Sequence, residues 1–109
     1  MRRRRDATEI KYQILMASIS GNRKTHIMYE SGLNLNQLNH YLEELLANGV
    51  LEYRSERKEY FMTDKGKSFA RTFDSYRQTV SLLSKQEAAL AQFFLTTDYA
   101  APIETERRW

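Results

Sequence analysis

At 109 residues the chain can bury one core but is too short for two ordinary domains. A hydrophobic share of 41% with 28% charged residues excludes a membrane protein, since no apolar run approaches the roughly 20 residues a span requires. Zero cysteines exclude disulfides and thiolate metal sites, which suits a reducing cytoplasm. The net charge of +3 is unevenly placed, for residues 1–85 hold 15 of the 17 basic and 10 of the 14 acidic residues, while residues 86–109 are net negative. Basic character on the N-terminal side favours an anionic partner there; a solvated charged surface is the alternative.

The chain opens on a basic arm, residues 1–5, in which Arg2, Arg3, Arg4 and Arg5 imitate the start of a signal peptide. Asp6, Thr8, Glu9 and Lys11 follow where an apolar segment would be needed, so export is not expected. Asp6 and Glu9 form a capping-box-like pair that starts a helix over 6–20. Ile10, Ile14 and Leu15 supply its apolar face and Gly21 its end. Thr25 is placed to cap a short second helix that stops near Gly32, with Ile27 and Leu33 pointing into the core. The few residues before the next helix are helix-turn-helix spacing.

Asn34 caps the third helix, Gln37 completes its capping box, and Gly49 supplies a left-handed stop. Leu38, Leu42, Leu45 and Leu46 recur at helical spacing, which leaves Asn36, Gln37, Asn39 and His40 on the other face. After Gly49, VLEYR alternates, with Leu51 and Tyr53 on one side and Glu52 and Arg54 on the other. The segment EYFM returns after a charged tip at 55–58. Thr63 can cap a fourth helix, and Gly66 lets that helix approach the hairpin closely. The expected fold is mainly α with a small β-hairpin wing: a winged helix-turn-helix over 6–66.

A long helix over 64–95 follows. Phe69, Phe73, Tyr76, Val80, Leu83, Glu87, Leu90 and Phe94 are spaced four and three residues apart in alternation, a heptad seam broken only by Glu87. The expected cover is a second copy of the chain, with Phe69, Phe73, Tyr76, Val80, Leu83, Leu90 and Phe94 as the dimerisation residues; a helix folded back near Ser84 is the alternative. Residues 96–109 lose periodicity at Pro102 and read as a flexible tail that includes Trp109.

Catalysis has little support. His26 and His40 are the only near-neutral bases, no glycine loop cradles phosphate, and no His, Asp and Glu set has metal-ligand spacing. No catalytic residue, metal, cofactor or small-molecule substrate is expected, and Glu43 and Glu44 read as a solvated helix face. Binding is better supported. Arg23, Lys24 and Thr25 open helix two, where free N–H groups and the helix dipole favour phosphate. Arg54, Arg57 and Lys58 in the wing can reach phosphates, although Glu56 and Glu59 dilute the charge. The arm can follow a neighbouring groove. Asn36, Gln37, Asn39 and His40 are side chains that hydrogen-bond base edges, and no arginine accompanies them on helix three. An ordinary basic turn, a soluble hairpin and a solubilising arm are the competing accounts.

From EIKYQIL through GNRKTHIMYESGLNLNQLNHYLEELLANGVLEY to YFMTDKGKSF, the chain resembles the archaeal winged-helix proteins typified by the small ten-kilodalton chromatin proteins of Sulfolobus. The resemblance covers about two-thirds of the chain; KTHIMY followed by LNLNQLNHYL is its more specific part. It implies a homodimer paired through long helices as an antiparallel coiled coil, with two domains that bind double-stranded DNA. Two consecutive acids on helix three and the moderate overall charge favour a cytoplasmic, nucleoid-associated transcriptional regulator over an architectural chromatin protein. The rival class is a winged-helix protein–protein docking module.

Overall fold

The side chain of Asp6 accepts a hydrogen bond from Glu9 N at 2.8 Å and so starts the first helix. The computed structural model describes residues 5–95. In chain order it contains α1 (Ala7–Ala17), α2 (Lys24–Ser31), α3 (Leu35–Ala47), β1 (Leu51–Arg54), β2 (Glu59–Met62) and α4 (Asp64–Leu95). The fold is mainly helical with one antiparallel hairpin, and its order is that of a winged helix.

Helix α1 ends three residues before the Ser20 that its sequence suggests. Ser18 Oγ bonds back to Ile14 O at 2.9 Å, and Ser18 O accepts from Met62 N at 3.0 Å. Ser18 O also accepts from Gly21 N at 3.2 Å, while Asn22 N, which a continuing helix would direct to Ser18 O, bonds Tyr60 O at 3.0 Å; the chain therefore turns, with Gly21 at φ +95°. Helix α2 also departs from expectation, because its N-cap is Arg23 and Thr25 lies one residue inside the helix. Asn22 sets this start: its backbone is tied to Tyr60 by hydrogen bonds of 3.0 and 2.8 Å, and its Oδ1 accepts from Arg23 N. Gly32, at φ +68°, stops α2.

Only three residues separate α2 from α3. Asn34 and Gln37 form a reciprocal capping box, with bonds of 2.8 and 3.0 Å. Leu33 and Leu38, flanking this cap, are both buried, as a hydrophobic staple requires. Leu38, Leu42 and Leu45 face the core, but Leu46 is exposed, because it falls about 80° around the helix from Leu38. At the far end, Lys65 Nζ donates to Asn48 O at 2.7 Å and Thr63 Oγ1 to Gly49 O at 2.7 Å. These bonds satisfy carbonyls that the helix end would otherwise leave open.

In the hairpin, Leu51 pairs with Met62, Tyr53 with Tyr60, and Arg54 with Glu59. Thr63 Oγ1 accepts from Gly66 N at 3.1 Å and caps α4. Gly66 is required for close approach, since a Cβ there would stand 2.3 Å from Val50 O and 2.6 Å from Met62 Cγ.

The core collects Ile14, Leu15, Ile27, Leu38, Leu42, Leu45, Leu51 and Met62, closed by Tyr12 and Phe73. The Tyr12 and Phe73 rings lie 4.8 Å apart, and Tyr12 Oη donates to Asp74 Oδ1 at 2.8 Å. The chain divides into two units, one up to Asp74 and one from Ser75 onward. In the second unit, residues 75–94 are helical and exposed.

Candidate nucleic-acid interface

Helix α3 presents its leucines inward and a polar N-terminal half outward. Asn36, Gln37 and His40 are exposed and Asn39 is half-buried, with the His40 ring set edge-on to Tyr41 at 5.4 Å. Gln37 has a second duty. Its Oε1 accepts from Asn34 N in the capping box, so its amide oxygen is engaged while the helix start is intact. The sequence pattern also passes over Leu35, the first residue of α3, which is 52% exposed despite its apolar side chain. Its spacing from Leu38, Leu42 and Leu45 continues the leucine repeat, so spacing alone assigns it to the core face and does not reveal its exposure.

The two acids of α3 part company. Glu44 is half-buried and pairs with Lys11 of α1 at 2.5 Å, whereas Glu43 stays exposed. Glu44 is therefore a tertiary contact rather than part of a solvated face, and its charge is largely offset.

At the start of α2, Arg23 and Thr25 are exposed and Lys24 half-buried, with no side-chain cap over the free N–H groups. In the wing, Arg54 lies flat: Nε is 2.7 Å from Glu52 Oε2, and its guanidinium carbon sits 4.0 Å above the Phe61 ring. Exposed ion pairs of this kind contribute about 0–1 kcal/mol, so their main effect is orientation. The terminal nitrogens of an arginine held through Nε and one face keep donors for an anion. Arg57 Nε is 3.2 Å from Glu59 Oε1, and Lys58 is exposed at the tip in a left-handed conformation, φ +55°. The sequence names the wing cations but not these partners, which depend on strand register.

Tyr53 and Tyr60 pair across the hairpin with ring centroids 4.8 Å apart and planes tilted by 49°. Burial first, and the neighbouring Tyr53 second, push the Tyr60 hydroxyl above its usual value of 10.0.

Arg5 departs from the reading of a free arm. Its guanidinium donates to Gln13 Oε1 and, at 2.6 Å, to Ser31 O at the C-terminal end of α2, where the helix dipole favours a cation. Arg2, Arg3 and Arg4, like the tail at 96–109, lie outside the described residues.

The heptad residues of α4 divide sharply. Phe73 is buried and Phe69 half-buried in the core of the first unit, their rings 5.9 Å apart. Tyr76, Val80, Leu83, Leu90 and Phe94 are exposed, as are Leu82 and Phe93 beside them. A seam with another chain therefore has the stretch from Tyr76 onward to draw on. Among the described residues no cluster of His, Asp and Glu could hold a metal ion, and no helix is long and apolar enough to cross a membrane.

Two helices joined by a tight turn, a polar outward face on the second, and a charged hairpin after it that carries Arg54, Arg57 and Lys58 define a winged helix-turn-helix. The chain belongs to the winged helix-turn-helix family, whose model matches residues 4–81. In structure it is similar to Sso10a-2, a DNA-binding protein from Sulfolobus solfataricus, with a TM-score of 0.75 and 23% identity over 83% of this chain and 97% of that one. No curated protein matches the chain in sequence.

Proposed function

We propose that the protein binds double-stranded DNA as a homodimer and acts as a transcriptional regulator. The observation that carries this reading is the outward half of α3, with Asn36, Asn39 and His40 available to base edges on a helix-turn-helix framework. Arg23 and Lys24 at the start of α2, and Arg54, Arg57 and Lys58 in the wing, contact phosphates; Arg2, Arg3 and Arg4 add positive charge to the chain. Similarity to a DNA-binding protein of Sulfolobus supports the same partner.

Dimerisation uses the exposed stripe of Tyr76, Val80, Leu83, Leu90 and Phe94, because seven large apolar side chains exposed within residues 76–94 are more than an isolated helix leaves to water. The regulator reading draws on Glu43, exposed in the middle of α3, which opposes the indiscriminate phosphate contact that a DNA-coating protein needs.

Titration of the full chain against random and genomic duplexes over a range of salt tests the proposal. Phosphate contacts release counterions, so affinity falls with a slope of about −0.9 per contact on a log–log plot. A flat salt response, or no binding at low salt, favours the protein-docking alternative.

A further inference from the structure

We propose that α3 reads A·T base pairs in the major groove, with Leu35 against the thymine methyl group and Asn36 and Asn39 against the adenine edge. This rests on the duplex-binding reading above and adds the class of base pair recognised.

One apolar side chain is left half exposed at the start of α3. Leu35 is the first residue of α3, and the packing that fixes the entry of this helix is supplied by Leu33 and Leu38, both buried. Leu35 is instead half in solvent, at the end of the helix that approaches bases in helix-turn-helix proteins. Residues three and four apart on a helix are surface neighbours, which sets Asn39 beside both Leu35 and Asn36.

Leu35 with one of these asparagines matches one base pair chemically, and the second asparagine is left for an adjacent pair. In the major groove adenine presents an acceptor at N7 and a donor at N6, which an asparagine amide meets with its Nδ2 and Oδ1. The thymine of the same pair presents its C5 methyl, which an apolar side chain covers. Guanine presents two acceptors, the usual target of arginine or lysine, and α3 contains neither. A carboxylate can accept from cytosine N4, but Glu44 is paired with Lys11 and Glu43 lies a full turn beyond Asn39. Gln37, the other amide suited to adenine, has its oxygen engaged by Asn34 N.

The test uses fluorescence anisotropy with the full chain and three duplexes of equal length: alternating A·T, the same duplex with deoxyuridine for every thymidine, and alternating G·C. The A·T duplex should bind at least about tenfold more tightly than G·C. Removing the methyl groups should cost about fourfold for each methyl in contact. Leu35→Ala should abolish the thymine–uracil difference while keeping the preference over G·C, Leu35→Met should retain it, and Asn39→Ala should shrink the preference over G·C. Thermal melting of each variant should match the wild type, since Leu35 is not a core residue. Equal binding to all three duplexes with a steep salt dependence would overturn base reading and leave DNA binding standing. A thymine–uracil difference that survives Leu35→Ala overturns the role given to Leu35, and failure to bind any duplex at low salt overturns both readings.

Discussion

Phe73 and Val80 stand one heptad apart on the same helix, yet Phe73 is 7% exposed and Val80 45%. Phe73 stacks on Phe69, packs at a tilt against Tyr12 and closes the core of the first unit, whereas Val80 belongs to a stretch in which every described side chain from Ser75 to Phe94 faces solvent. A periodic apolar stripe reports only that a helix face is to be covered. Whether the cover comes from the same chain or from another depends on how far the neighbouring elements reach, which periodicity does not encode.

Stability measurements should break the helix at the same place. Phe73→Ala should cost about 3–5 kcal/mol in urea unfolding, as for a buried aromatic that leaves a cavity. Val80→Ala should leave the first unit's unfolding nearly unchanged under monomeric conditions, and equal losses from the two variants would erase the distinction. Gly66→Ala belongs with Phe73, because the added methyl meets a backbone carbonyl; a loss of about 1–3 kcal/mol is expected.

Charge placed on the other stretch should act on association instead. The double variant Val80→Asp, Leu83→Asp should sediment as a folded monomer where the wild type sediments as a dimer. A wild type that is monomeric at micromolar concentration would assign the stripe to a different partner.

Smaller effects separate the wing from the core. Lys58 occupies a left-handed conformation that favours glycine, so Lys58→Gly should raise stability by up to about 1 kcal/mol while flattening the salt slope of DNA binding by about one unit. A variant that melts higher and binds with an unchanged slope would remove the tip from the interface.

The smallest effect is alkaline. The Tyr60 hydroxyl ionises at a higher pH in the folded protein than its usual 10.0, so its contribution to stability is complete below that pH. It is then lost as pH rises towards and through the folded value. Tyr60→Phe should lessen the alkaline loss of stability seen in melts from neutral pH to beyond pH 10, and an identical profile would assign the loss to other groups.

The fold was legible where local chemistry decides it. The Asn34–Gln37 box, the left-handed Gly49, the β1–β2 hairpin and the Thr63 cap of α4 each follow from a few adjacent residues. Features set by distant residues were not. The turn after α1 is tied to Met62 and Tyr60, the start of α2 to Tyr60, and Arg5 to the end of α2. In the candidate site the exposed positions on α3 could be read from the leucine repeat. The engagement of Gln37 oxygen follows from the same capping box that its spacing announces, so one residue was given two roles that compete for one atom. The offset of Glu44 by Lys11 needs the packing of α1 on α3, which no sequence window contains.

Asn22 and Tyr60 exchange two backbone hydrogen bonds, and these join the wing to the turn that precedes α2. Hairpin and helix-turn-helix are thus fastened through β2, two residues beyond Lys58 at the tip. A hairpin hinged only through its own loop would have to be immobilised when it met a ligand, at an entropic cost for every residue ordered. Here much of that ordering has already occurred during folding, so cutting the link should slow no encounter but should shorten the lifetime of the complex.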